Sequence, residues 1–351
     1  MTNTTSGQAK SNSSSTSTAD WQFISLPNRD PCERRKFLAS SLAATAALLV
    51  GCRPHTVVTP TAPSAAKSGW IDAHTHLWTP DTQKFPLATW AKVADMQPPS
   101  FTAEEWLALA RPAGVEQAVL VQHSPLYGYD SSYLLDCCQH YPGTFSLIGR
   151  IDERLPDLDD RLRQQRKQGL RGLRISPTVH GDRTSVLDPP NWLKASEMRA
   201  LWRAAADQDV IMCPLLAPEF LPTLDPMCQE FPQVKCVIDH LGQVDITQEE
   251  QITNLLRLSR HPNVYVKVSA FYKFGTKRPP YLELGPLIQR LVNAFGAGRL
   301  MWGSDCPYQL NDGNTFQAAV DLVAKHLNFL AAADRQKLLR DTAAKLFFVS
   351  S

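Results

Sequence analysis

A closed barrel of eight parallel strands, each followed by a helix, is the fold class the sequence predicts. Eight short apolar runs rich in Val, Ile and Leu recur between residues 70 and 305, and such runs read as strands buried on both faces. Amphipathic stretches separate them, and that alternation indicates a parallel α/β sheet. An open doubly wound sheet is the competing arrangement. No GxGxxG follows the first run, which favours the (β/α)8 barrel.

The strand-like runs fall at 70–74, 117–123, 145–152, 170–176, 209–216, 235–241, 264–270 and 300–305. Thr102-Ala103-Glu104-Glu105 opens the first helix with a capping-box pattern, in which residue and backbone satisfy each other's free N–H groups. Helical periodicity follows over 131–139, 155–168, 196–208, 247–260, 281–295 and 314–330. A last helix over 334–347 is expected to cover the outside of the barrel.

At 351 residues the chain can bury a full core, and its formal charge of +2 gives no electrostatic footprint for nucleic acid. The cysteines show no CxxC pair and no zinc-ribbon spacing, so most read as buried residues rather than a disulfide framework.

The N-terminal part has another texture. Residues 1 to about 30 are rich in Ser, Thr and Asn and are expected to be disordered. Arg34-Arg35-Lys36-Phe37-Leu38 then precedes an Ala-rich apolar run ending in Leu48-Leu49-Val50-Gly51-Cys52. That is the layout of a secretory signal, and the run is shorter than the roughly 20 residues a membrane span needs. The adjacent arginines resemble a twin-arginine export signal, and Leu49-Val50-Gly51-Cys52 resembles a lipobox in which Cys52 is lipid-modified. The resemblance implies a signal over 1–52, a Pro-, Thr-, Ala- and Ser-rich tether over 53–68 and a catalytic domain over 69–351. It also implies passage through the twin-arginine machinery and a lipid-anchored protein at the periplasmic or cell-envelope face.

In a barrel of this class the chemistry sits where the strands end. The first run ends in His74-Thr75-His76, whose spacing aims both imidazoles to one side of a strand. The sixth ends Val237-Ile238-Asp239-His240-Leu241-Gly242, and the eighth Trp302-Gly303-Ser304-Asp305-Cys306-Pro307. His74, His76, His240 and Asp305 should therefore converge at the barrel mouth, as a metal site or a set of groups polarising a carbonyl.

These three motifs, in this order, resemble the amidohydrolase superfamily over residues 70 to about 348. They resemble in particular its amidohydrolase-related branch of pyrone-dicarboxylate and sugar-acid lactonases. Gln122, Tyr127-Gly128-Tyr129-Asp130 and Gly172-Leu173-Arg174 resemble the same group. The resemblance implies a hydrolase that opens a carboxylated or sugar-derived lactone. Asp305 would be the general base, and His74, His76 and His240 would polarise the carbonyl directly or around an ion.

One departure stands out. Most metal-using members carry a histidine on strand five, whereas Val210-Ile211-Met212-Cys213-Pro214 has none. Cys213 reads as a small buried residue in preference to a zinc ligand. The site is therefore expected to hold either no cofactor or one divalent ion, zinc or manganese, on His74, His76 and Asp305.

Arg174 would grip a substrate carboxylate or form a structural ion pair. Tyr127 and Tyr272 are candidate pocket donors or packing residues, and His123 either lines the pocket or sits in the core. His180 lies in the loop after the fourth strand. Arg150, Asp152 and Glu153 brace the barrel or touch substrate. His55, His140, His261 and His326 read as surface residues. A metal-dependent decarboxylase or amide hydrolase, and a non-catalytic lipoprotein binding a small acid, are the competing readings.

Overall fold

The computed structural model describes residues 69–177 and 189–348. Eight strands form one sheet in sequential order: β1 Trp70–Thr75, β2 Val115–Val121, β3 Phe145–Gly149, β4 Leu170–Ile175, β5 Ile211–Pro214, β6 Cys236–Ile238, β7 Val264–Val268 and β8 Leu300–Trp302. Every neighbouring pair is parallel. The ring closes between β1 and the segment after β8: Asp305 N donates to His74 O at 2.7 Å and His76 N to Cys306 O at 2.8 Å. The (β/α)8 expectation holds.

Strand interiors fill the barrel. Ile71, Ala73, Val119, Val121, Ile148, Ile211, Cys213, Val237, Tyr265 and Met301 form one apolar cluster inside it. A larger layer lies between strands and helices, with Trp106, Leu120, Leu173, Trp202, Leu255, Leu291 and Trp302 fully or nearly fully buried. The capping box at Thr102 is present, with the Glu105 carboxylate accepting Thr102 N at 2.8 Å and the Thr102 hydroxyl accepting Glu105 N at 3.4 Å. The described cysteines are all free thiols, and all but half-buried Cys138 are buried.

Two elements differ from expectation. The expected last helix divides: Leu338 and Leu339 join the layer between strands and helices, whereas its final turns, Thr342–Phe347, send Ala343, Leu346 and Phe347 into the interior cluster. Ser146, at the start of β3, donates its hydroxyl to Phe347 O at 2.8 Å, so this helix plugs the end opposite the strand C-termini. The second difference is a helix, Leu224–Glu230, between β5 and β6. Pro218, Pro222 and Pro232 flank it, and its own Pro226 falls in the first turn, where a missing N–H costs nothing. No described helix is long and apolar enough to cross a membrane.

Most of the predicted runs overshoot the strands at their C-terminal ends. The 300–305 run leaves the ladder after Trp302, and the 235–241 run after Ile238. Beyond those points the chain turns inward, and that is where the site is built.

Candidate active site

The β1–β8 seam sets the geometry. An irregularity of register between Asp72 and Thr75 shifts the alternation of β1. Ile71 and Ala73 thus belong to the apolar interior, while His74 and His76 join a polar cluster at the mouth. Asp72 locks the seam from behind: its carboxylate accepts Ser304 N at 2.7 Å, Ser304 Oγ at 2.6 Å and Trp106 Nε1 at 3.3 Å. Burial pushes the Asp72 carboxyl up to about 6 despite those bonds. Gly303 lets the strands meet, because a Cβ there would stand 2.8 Å from His74 Cβ.

Asp305 and His240 both hold left-handed backbone angles, φ 62° and 52°, and Leu241, Gly242 and Gln243 continue at 53°, 64° and 56°. Strained conformations of non-glycine residues persist where surrounding structure over-determines them, commonly at functional sites. Here they turn each side chain back over the barrel axis.

The four expected groups converge. His76 Nε2 lies 3.4 Å and His74 Nε2 3.6 Å from Asp305 Oδ1, and His240 Nε2 lies 3.8 Å from Asp305 Oδ2. All four side chains are almost wholly buried. Tyr272 donates its hydroxyl to Asp305 Oδ2 at 2.7 Å, which places its ring beside the cluster. Oδ1 has no hydrogen-bond partner among the described residues.

Partners fix the imidazole tautomers. His76 Nδ1 sits 2.8 Å from Val121 O, which only accepts, so Nδ1 carries the proton and Nε2 a lone pair. His74 Nε2 lies 2.8 Å from Arg174 Nη2, which only donates, so this nitrogen too presents a lone pair. Its Nδ1–H then faces Asp239 Oδ1 at 3.3 Å. His240 Nδ1 meets Ser269 Oγ at 2.9 Å, a hydroxyl that can donate or accept; when the hydroxyl donates, Nε2–H is left to point at Asp305 or a ligand.

Two lone pairs and an unpartnered carboxylate oxygen thus face one another within 4.8 Å. Such a donor set fits a divalent cation, since open catalytic sites use three protein ligands. Cys213 is not among them: it lies in the apolar interior, and burial pushes its thiol up to about 12.

Beneath the histidines lies a charged group that the strand-end motifs did not announce. Fully buried Asp239 pairs with Lys267 Nζ at 3.0 Å and Arg174 Nη2 at 3.0 Å, and Lys267 Nζ also stands 3.2 Å from His74 Nδ1. The β6–β7 register pairs Ile238 with Val266, so the next residues on each strand, Asp239 and Lys267, come side by side. A sequence signal existed, because a lone lysine inside the run Val264-Tyr265-Val266-Lys267-Val268 needs a buried counter-ion. Burial by itself would raise Asp239, but Lys267 and Arg174 hold it well below the usual carboxylate range. Burial and the nearby Lys267 depress His74 far below 6.5, and burial brings His240 down to about 4. Against the opposing effect of burial, His240, His76 and His74 hold Asp305 well below the usual range. At neutral pH the arrangement is an ionised carboxylate beside neutral His74 and His240.

The other candidates divide. His123 lies beside the cluster, its ring 5.3 Å from that of His76 and its Nε2 2.6 Å from the Tyr308 hydroxyl. Tyr127 turns away, its hydroxyl accepting Thr79 N at 3.3 Å. Arg150 donates to Ser124 Oγ at 3.0 Å and lies over the Tyr129 ring, while Asp152 pairs with Arg154 and Glu153 accepts Trp192 Nε1 at 2.9 Å. His140 and His326 are exposed; half-buried His261 pairs with Asp225 at 2.7 Å. His180, His55 and Cys52 lie outside the described residues.

A family model described as amidohydrolase matches residues 71–349. The chain belongs to the amidohydrolase family. It is a hydrolase by that membership, and its similarities run to enzymes of lactones. It is 27% identical over 244 residues to the L-fucono-1,5-lactonase of Burkholderia ambifaria, covering 68% of this chain and 80% of that protein. Identity to the 4-sulfomuconolactone hydrolase of Hydrogenophaga intermedia is 27% over 298 residues, covering 80% and 88%. A solved structure from Pseudomonas putida, proposed by its name as a 2-pyrone-4,6-dicarboxylic acid hydrolase, superposes with a TM-score of 0.68 at 26% identity, covering 81% of this amidohydrolase and 98% of that chain.

Proposed function

We propose that this amidohydrolase opens a lactone ring by water attack, on a substrate that carries a carboxylate or derives from a sugar acid. The observation that carries the reading is the buried Asp305 carboxylate, with three histidine Nε2 atoms 3.4–3.8 Å from its oxygens. The family and the two lactone-hydrolysing relatives support the same reaction class.

Asp305 takes a proton from water as the water oxygen bonds to the ring carbonyl carbon. The carbonyl electrons move onto oxygen, where His240 Nε2–H and the Arg174 guanidinium stabilise the charge. Collapse breaks the ring C–O bond, and the leaving alkoxide recovers the proton from Asp305, giving a hydroxy acid. A divalent ion, zinc or manganese, held by His74, His76 and Asp305 would add Lewis-acid polarisation of that carbonyl. The Nε of Arg174 has no partner among the described residues and is the candidate grip for a substrate carboxylate. A panel of pyrone, muconolactone and aldonolactone substrates, followed by proton release, tests the reading. Turnover of at least one is expected, and no turnover by folded protein sinks it.

A metal-dependent decarboxylase or amide hydrolase is the second reading, favoured by the lone-pair set on His74, His76 and Asp305. It requires stoichiometric metal and activity abolished by chelation, whereas activity in metal-free protein excludes it. The cellular placement is likewise a proposal. The twin arginines at Arg34-Arg35 and the lipobox-like Cys52 support export and a lipid anchor at the cell envelope.

A further inference from the structure

We propose that Arg174 is a resident cation that competes with a divalent ion for His74, so that metal enters only when the guanidinium leaves Nε2. The inference concerns the same pocket as the proposed hydrolysis but rests only on the packing around His74. Arg174 Nη2 bonds His74 Nε2 at 2.8 Å and Asp239 Oδ2 at 3.0 Å, and the side chain is 8% exposed. Arginine is always charged and only donates, so the lone pair a metal needs is already engaged. A zinc–histidine bond is about 2.0–2.1 Å long. An ion on Nε2 would therefore share the space in front of that nitrogen with a guanidinium, two positive groups within a few ångströms of each other.

The charge balance points the same way. Arg174 and Lys267 are matched by Asp239 and Asp305, all four within one connected set of contacts through His74. Lys273, whose Nζ donates to Gln243 at 3.2 Å, adds further positive charge on the Asp305 side. A divalent ion would leave two more positive charges uncompensated in a buried place, which is unfavourable unless one cation moves away. The second nitrogen of His74 is no refuge, because Lys267 Nζ stands 3.2 Å from it. His76 and Asp305 contact each other and not Arg174, so the guanidinium blocks one of three ligands and weakens metal binding without destroying it.

The test is zinc binding by the full-length protein, measured by equilibrium dialysis at buffered free zinc followed by elemental analysis. Wild type should bind weakly. Arg174→Met, which keeps length and removes charge, should bind at least about tenfold more tightly, and adding His76→Gln should cancel the gain. Arg174→Gln provides a second route if the methionine variant fails to fold. It removes the charge but keeps a polar group that can donate to Asp239, so it too should tighten zinc. Equal affinity of wild type and a folded variant overturns the proposal, as does stoichiometric zinc retained by wild type after dialysis into metal-free buffer. Lactone turnover is no part of the readout, so failure here and failure of the hydrolase reading are separate results.

Discussion

Asp305 divides its two oxygens between structure and chemistry. Oδ2 accepts the Tyr272 hydroxyl, while Oδ1 faces the Nε2 atoms of His74 and His76 without a hydrogen bond of its own. His240, close by, links the site to the stability of the whole chain. Its pKa falls from 6.5 unfolded to about 4 folded, so between those values the unfolded chain binds more protons. Stability from this group is therefore intact above pH 6.5 and lost on acidification toward 4, by on the order of 3 kcal/mol. His74 acts in the same sense. Asp72, raised from 3.8 to about 6, acts in the opposite one, because the folded chain holds its proton over that window. His240→Gln should flatten the fall in melting temperature between pH 6.5 and 4, and an unchanged slope would contradict the burial account. His74, His76, His240 and Asp305 were legible because each ends an apolar run where a barrel keeps its chemistry. Asp239 and Lys267 were not singled out, since their pairing needs the β6–β7 register. The commitment of Arg174 to Asp239 and His74 was legible only as one of two alternatives.

Elements position these residues through close approaches that leave no slack. Gly303→Ala would drive a Cβ to 2.8 Å from His74 Cβ and 3.0 Å from His74 N. A displacement of a few tenths of an ångström at His74 should lower kcat at least about tenfold, with a smaller effect on melting temperature; unaltered kcat would show that the seam tolerates movement. At the opposite end, Phe347→Ala removes the plug's largest side chain from the interior cluster. Urea denaturation should register a loss of about 3–5 kcal/mol, with KM unchanged because the plug is remote from the mouth. A comparable rise in KM would contradict that separation. Strand count and order were legible from the apolar runs and their spacing. The plug was misplaced because an amphipathic pattern states that a helix has a buried face but not which surface receives it. The helix Leu224–Glu230 was missed because its seven residues make too short a stretch for a helical period to stand out.

For the whole molecule, the fold keeps the Asp305 cluster and the apolar plug at opposite ends of one barrel. If residues 1–68 direct export and anchoring, Cys52→Ser should release the protein from membranes, and Arg34→Lys with Arg35→Lys should hold it in the cytosol. Fractionation checks both, and wild-type protein found wholly in the cytosol would contradict them. The barrel account does not depend on that outcome. It depends on Asp305 activating water beside three imidazoles, and the most direct test compares kcat on the best lactone of the panel for wild type and Asp305→Asn. The account predicts a loss of about 10²–10⁴-fold with the melting temperature little changed; a folded Asp305→Asn protein that retains the wild-type rate would contradict it.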